Sequence, residues 1–207
     1  PSKDVPPPMG VSLLMGMLEW FYPEQKFKPW RTEYSVCIET PVPTVVNNEQ
    51  VTVMMPAICG NIDAIFRSEK DGRYWIFDWK RVDPKKKGLL GRKPVQLGGS
   101  KRARTPEKAL APFDEFDADP FNKYSAQLWG YWCQLIWGGY MKEEEIAGLF
   151  LTQMHEDMQK AHVIEAADLA EEVDEVMRAE VEAAKKAYEK EIQDEIAARN
   201  AADVAAC

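Results

Sequence analysis

A chain of 207 residues, 45% of them apolar and seven of them Trp, can bury one ordinary core with an appendage, or two small cores. The net charge of −8 hides a split. From Lys80 to Lys108 eleven Lys and Arg stand against two acids, and from Glu165 onward acids outnumber bases by more than two to one, so the overall sign does not exclude a polyanionic partner. No apolar run approaches the roughly 18 residues that span a bilayer, so no membrane partner is expected.

No secretory pattern opens the sequence. The four cysteines, Cys37, Cys59, Cys133 and Cys207, are scattered, with no CxxC and no Cys/His pairing. That argues against structural zinc and for a reducing, intracellular setting. With only His155 and His162 present, any metal is expected to sit on carboxylates, which favours hard ions such as Mg or Mn.

In chain order, PSKDVPPP reads as a linker over residues 1–9, as in a piece cut from a longer protein. Leu13, Met17, Trp20 and Phe21 give Gly10 to Pro23 a helical stripe. RTEYSVCIETPV alternates at Tyr34, Val36 and Ile38 and reads as a strand; QVTVMMPAICG reads as a second, broken or turned at Pro56. NNEQ looks like the hairpin connection between them. Two more strands follow, Asn61–Arg67 and Arg73–Trp79, joined across SEKDG. From about 81 to 122 the Pro, Gly and charge clusters show no period, which predicts a long functional loop or a disordered insert. Tyr124 to Tyr140 reads as a well-buried helix ended by Gly138-Gly139. IAGLFLTQMHED is a strand running into a turn. Residues 162–207 form an acidic helical tail, with one helix over Ala166–Asn200 and an imperfect seam at Leu169, Val173, Val176, Ala184, Tyr188, Ile192 and Ile196. The order predicts an α/β layer sandwich around a mixed sheet, with the core over 10–160.

The charges in GNIDAIFRSEKDGRYWIFDWKR stand out because a carboxylate is costly in apolar strands. The turn EKDG is centred between Lys70 and Asp71, and Asp63 and Asp78 are equidistant from that centre. Simple hairpin register therefore sets them opposite one another on one side, Cβ atoms about 5 Å apart. Lys80, two places on, shares that side, while Phe77 and Trp79 point the other way. Two carboxylates that close repel unless a cation joins them. A divalent ion there polarises a phosphoryl oxygen and acidifies bound water, and Lys80 positions or deprotonates that water or neutralises developing charge. Asp-x-Lys alone is a weak signal, since Glu24–Lys26 and Asp83–Lys85 have similar patterns in surface and loop segments.

Taken together, GNIDAIF and YWIFDWKR resemble the central motif of the PD-(D/E)XK nuclease superfamily, in its RecB-like and lambda-exonuclease-like branch. KYSAQLWGYWCQLIW resembles that branch's glutamine–tyrosine motif through Tyr124, Gln127, Leu128 and Tyr131. RTEYSVCIE resembles the acidic first motif through Glu33, and LFLTQMHED the following strand. The blocks fall in the family's order over about Arg31 to Asp157. The resemblance implies a restriction-endonuclease-like fold, a mixed central sheet flanked by helices, here with a long C-terminal helix added. It implies that Asp63, Asp78 and the Trp79 backbone carbonyl bind Mg or Mn, and that Lys80 is the catalytic lysine. Glu33 becomes a further ligand or water-orienting acid, and Gln127 and Tyr131 brace the site or touch DNA. The chain departs from many RecB-like nucleases in having no histidine before the first aspartate. His155, followed by Glu156 and Asp157, reads as a turn rather than a metal cluster.

The expected activity is Mg- or Mn-dependent hydrolysis of DNA. Lys85, Lys86, Lys87, Arg92, Lys93, Lys101, Arg102 and Arg104 are candidates for the DNA backbone, against a solvated loop or a nuclear-targeting signal. The acidic helix docks on the core, pairs with a protein partner or self-associates. The rival readings are a nucleic-acid-binding module of the same fold with weak or no cleavage, and an interaction scaffold that uses the acidic helix.

Overall fold

The computed structural model describes residues 23–46, 49–83, 85, 90, 108–155, 158 and 161–205. The helix expected over Gly10 to Pro23 and the linker lie outside them. The protein is a mixed α/β structure. Strands β1 (Lys28–Val46), β2 (Glu49–Arg67), β3 (Tyr74–Lys80), β4 (Ile146–Gln153) and β5 (His162–Glu165) form one sheet in the order β1-β2-β3-β4-β5. Only β3 and β4 run parallel. Their connection carries the basic insert, helix α1 (Pro120–Trp137) and a single helical turn, Glu143–Glu145. Helix α2 (Ala170–Ala205) closes the described chain.

Local chemistry explains α1. Asp119 caps it, its Oδ1 accepting from the Asn122 amide at 2.8 Å, and Pro120 fills the first turn, where no amide is needed. It stops at Gly138, and Gly139 follows at φ +73°, a backbone angle that suits glycine. Leu128, Tyr131 and Leu135 project from one face into a cluster with Ile62, Ile65, Ile76, Leu149 and Leu151 of the sheet. The opposite face of the sheet carries Phe27, Ala64, Phe66, Phe77 and Phe150, with Trp75 stacked on Phe150 at 4.8 Å. A third cluster joins Ile38 of β1 and Cys133 of α1 to Leu169 and to Val173 and Met177 of α2.

Four expectations need correction. The strand expected to break at Pro56 and the strand over Asn61–Arg67 are one continuous β2 of 19 residues. Only Ala64–Arg67 of β2 pair with β3, so Pro56 meets no strand on that side; on the other it pairs with Glu39 of β1, beside a register shift between Ile38 and Glu39. The tail is not helical throughout. His162–Glu165 form β5, which pairs antiparallel with β4, and the helix starts at Ala170 rather than Ala166. Helix α1 begins at Pro120, inside the stretch assigned to the insert. Finally, the cysteines are not all isolated: Cys37 and Cys59 face each other across β1 and β2 and are joined as a disulfide. Cys133 is a buried free thiol.

The start of the acidic tail is thus core. Leu169→Ala, at a side chain only 1% exposed, is expected to cost about 2–5 kcal/mol of unfolding free energy in denaturant titrations. A change of a few tenths would mean that the tail is an independent appendage.

Candidate functional site

The β2–β3 ladder runs from Arg67↔Tyr74 to Ala64↔Phe77, and the same register one step on sets Asp63 opposite Asp78. On β3, Ile76 packs towards α1, while Trp75, Phe77 and Trp79 join the aromatic face. Alternation then turns Asp78 and Lys80 towards α1. On β2 the alternation slips. Ile62 and Ile65 both pack towards α1, and Ala64 and Phe66 pack away from it. The slip falls at Asp63. Its register partner on β1 is Glu33, bracketed by Thr32↔Ala64 and Tyr34↔Ile62. Glu33 sits at φ +48°, a conformation that costs a non-glycine residue roughly 1–2 kcal/mol. A local distortion in two adjacent strands therefore accompanies the turn of Asp63 towards Asp78.

Asp78 is 1% exposed. Its Oδ2 lies 2.7 Å from Lys80 Nζ, yet this buried oxygen has no hydrogen bond of good geometry. Asp63 Oδ2 accepts from the Trp79 amide at 2.8 Å. Burial raises both carboxyls above the ordinary 3.8, Asp78 to about 6, against the attraction of Lys80. The Asp63 charge is a further cause that raises Asp78.

Helix α1 supplies the other wall. Lys80 Nζ donates to Gln127 Oε1 at 2.9 Å and lies 4.7 Å from the centre of the Tyr124 ring. Gln127 Nε2 in turn donates to Tyr131 Oη at 2.6 Å. Burial and the nearby acids Asp78, Asp63 and Glu33 raise the Tyr131 phenol, which keeps it a neutral hydrogen-bonding group. Glu33 is exposed, and its Oε2 accepts from Asn61 Nδ2 at 2.7 Å. Gly60 allows α1 to come close: a Cβ there would stand 2.6 Å from Gln134 Oε1 and 2.9 Å from Tyr131 Cε1.

The structure therefore brings Asp63, Asp78, Lys80, Gln127 and Tyr131 together, with Glu33 at the margin. Among the described residues no group of three or more His, Cys, Asp or Glu side chains is arranged to hold an ion. Two close carboxyls, both raised by burial and one with a buried oxygen lacking a hydrogen bond, nevertheless form a donor pair of the kind that hard divalent ions take. Lys85 is exposed, its amide donating to Asp83 Oδ1 at 2.8 Å. Lys86, Lys87, Arg92, Lys93, Lys101, Arg102 and Arg104 lie outside the described residues, as do Glu156 and Asp157. The His155 carbonyl accepts from the Met158 amide at 2.9 Å, as a turn would have it.

Sequence reasoning missed three supporting residues. Asn61 holds Glu33. Gln134 sits one helical turn beyond Tyr131. Gln153, wholly buried, receives the Leu90 amide at 2.8 Å and donates to the Val82 carbonyl at 3.0 Å, tying down the chain where it leaves Lys80. Only Gly60, within the GNID motif, offered a signal in sequence, as a glycine suited to a close approach.

No protein-family model matches the sequence. No curated protein matches it either. Among solved structures, one titled as the crystal structure of SSO0001 aligns over 84% of this chain at 17% identity and a TM-score of 0.29. That likeness is too low to carry an argument, and the chain spans 58% of the length of that protein. Among the described residues no helix is long and apolar enough to cross a membrane.

The raised acids fix a pH dependence. Because Asp78 binds its proton more tightly folded than unfolded, its contribution is fully present below about pH 4 and is lost as pH rises through about 6. The loss is on the order of 2–3 kcal/mol. With chelator present, the stability of Asp78→Asn relative to the parent protein should improve across that window, as read by denaturant titration at stepped pH. A pH-independent difference would contradict the burial-raised Asp78 carboxyl.

Proposed function

We propose that this chain is a metal-dependent nuclease that hydrolyses DNA phosphodiester bonds, on a sheet-and-helix core of restriction-endonuclease-like type. The observation that carries the reading is the position of the Lys80 ammonium. It lies between the buried Asp78 carboxylate and the Gln127 carboxamide, beside a second aspartate, Asp63, that burial also raises. Asp63 and Asp78, with the Trp79 carbonyl, would hold Mg or Mn. When bound, that ion supplies Lewis-acid polarisation of a phosphoryl oxygen and a more acidic water.

The chain's own groups do the rest. Lys80 places a positive charge where a non-bridging phosphate oxygen gains charge, or orients the attacking water through one of its three protons. Gln127 fixes the ammonium, and Tyr131 fixes Gln127, so the lysine is held before substrate arrives. Water is the nucleophile, and no covalent intermediate with the protein is needed. Arg81 and Lys123, the latter on α1, flank a cleft of about 920 Å³ that Tyr124 also lines, and the basic insert adds the charge that a DNA backbone needs.

One observation favours a second reading, a nucleic-acid-binding module of the same fold with weak or no cleavage: Glu33 is held by Asn61 and does not complete a three-acid cluster. Cleavage assays decide between them. In Mg or Mn, the parent protein is expected to degrade end-labelled, circular or single-stranded DNA, and EDTA to stop it. Asp78→Ala and Lys80→Ala should each lose at least about a hundredfold in rate while circular dichroism and melting show a folded protein. Undiminished cleavage by either variant removes the assignment.

A further inference from the structure

The cleft of about 920 Å³ lies between the exit of β3 and the start of α1, and Tyr124 joins it to the aspartates, because its ring lines the cleft and its centre is 4.7 Å from Lys80 Nζ. Its ionisable lining is Asp83, Asp117 and Asp119 against Arg81 and Lys123. By sign alone the acids prevail, but each acid is already engaged. Asp117 Oδ1 lies 3.1 Å from Lys108 Nζ, Asp119 Oδ1 accepts from the Asn122 amide at the head of α1, and Asp83 Oδ1 accepts from the Lys85 amide. Arg81 and Lys123 are exposed, and among the described residues neither side chain has a hydrogen-bond or ion-pair partner. The groups left to be matched in the cleft are therefore its two cations. The chain around Arg81 is also fixed. The Lys80 carbonyl before it accepts from the Val82 and Met154 amides, and the Val82 carbonyl after it accepts from the wholly buried Gln153. A cation held so close to Lys80 costs little further ordering when an anion arrives.

The rest of the lining separates two kinds of polyanion. Phe113, Phe116 and Val176 make an apolar floor, and Leu110, 86% exposed, adds to it. A duplex stacks its bases away from such a wall and offers it phosphates and groove edges. A single strand offers phosphates to cations and base faces to aromatic and apolar surface together. We infer that this cleft binds one unpaired DNA strand, with Arg81 and Lys123 on phosphates beside the scissile one and bases against Leu110, Phe113 and Phe116. The inference rests on the nuclease reading and narrows its substrate class to single-stranded or locally opened DNA.

The test reads binding by fluorescence anisotropy of a labelled single-stranded oligodeoxynucleotide on the full chain in EDTA, across a salt series. The slope of log affinity against log salt should fall by about 0.7 for each of Arg81→Gln and Lys123→Gln. Lys70→Gln combined with Lys190→Gln, at two exposed lysines outside the cleft, removes the same charge as the double cleft variant and should leave the slope unchanged. With Mn, a neutral methylphosphonate linkage next to the cut should raise KM about tenfold in the parent protein and have little effect in the double cleft variant. A duplex of the same sequence should bind at least about tenfold more weakly than the single strand. A slope that the cleft variants change no more than the control pair does, a neutral linkage that costs both proteins alike, or a duplex bound as tightly as the single strand overturns the cleft assignment, and the nuclease stands as long as Mn-dependent cutting persists. Parent protein that neither binds nor cuts any DNA overturns both.

Discussion

The costliest feature of the described structure is a pair of carboxyl groups at the junction of sheet and helix, where water is largely excluded. Burial alone raises both acids, and the nearer one cannot remain a lone anion beside its neighbour. What holds the arrangement together is the pair of cationic and polar donors around it: the Trp79 amide on Asp63 and the Lys80 ammonium beside Asp78. Each comes from β3 itself, whose backbone is fixed on both sides. Ala64–Arg67 of β2 pair with it antiparallel, and β4 pairs with it in parallel up to Lys80↔Gln153, with the Met154 amide closing on the Lys80 carbonyl at 3.0 Å. A lysine at a free strand end would lose its geometry to side-chain and backbone entropy. Here it ends a strand held by β2 over Tyr74–Phe77 and by β4 as far as Lys80 itself.

The legible and illegible parts of this site divide at one bulge. Asp63, Asp78 and Lys80 were readable because a short turn fixes the β2–β3 register and alternation does the rest. The β1–β2 register was not readable. From Val46↔Glu49 to Glu39↔Pro56 the numbers of paired residues add to 95, and from Ile38↔Ile58 to Arg31↔Ile65 they add to 96. The shift between Ile38 and Glu39 is invisible in sequence, yet it moves Cys37 onto Cys59 and Glu33 onto Asp63. Counting from the turn would have put each opposite the wrong residue, and so on the wrong side of the ribbon. The same reasoning explains the missed β5, since four residues are too few to show a period.

Helix α1 shows why a site role and a core role are hard to separate from sequence alone. Leu128, Tyr131 and Leu135 make it a core helix, as its apolar run suggested. Gln127, Tyr131 and Gln134 follow the i, i+4, i+7 spacing along the same helix, so they form a polar stripe beside the apolar one. The glutamine–tyrosine spacing pointed at the first two. Nothing in the pattern marked Gln134, because a glutamine in a buried helix reads as a satisfied hydrogen-bonding group until its partners are counted.

That count also bears on what the long helix does. An interaction scaffold would keep its working helix away from the core, yet Leu169, Val173 and Met177 are buried against Ile38 and Cys133, and Tyr188 Oη, farther along, donates to the Pro56 carbonyl at 2.9 Å. The helix packs against both strands of the β1–β2 ribbon. Val173 and Val176 line a cavity together with Gln127 and Tyr131, so the start of the acidic helix shapes the surroundings of the aspartates. The excess of acids then falls on the solvent side, where a like charge disfavours a DNA backbone. On the nuclease proposal, a DNA strand would instead be drawn to the cleft lined by Arg81 and Lys123.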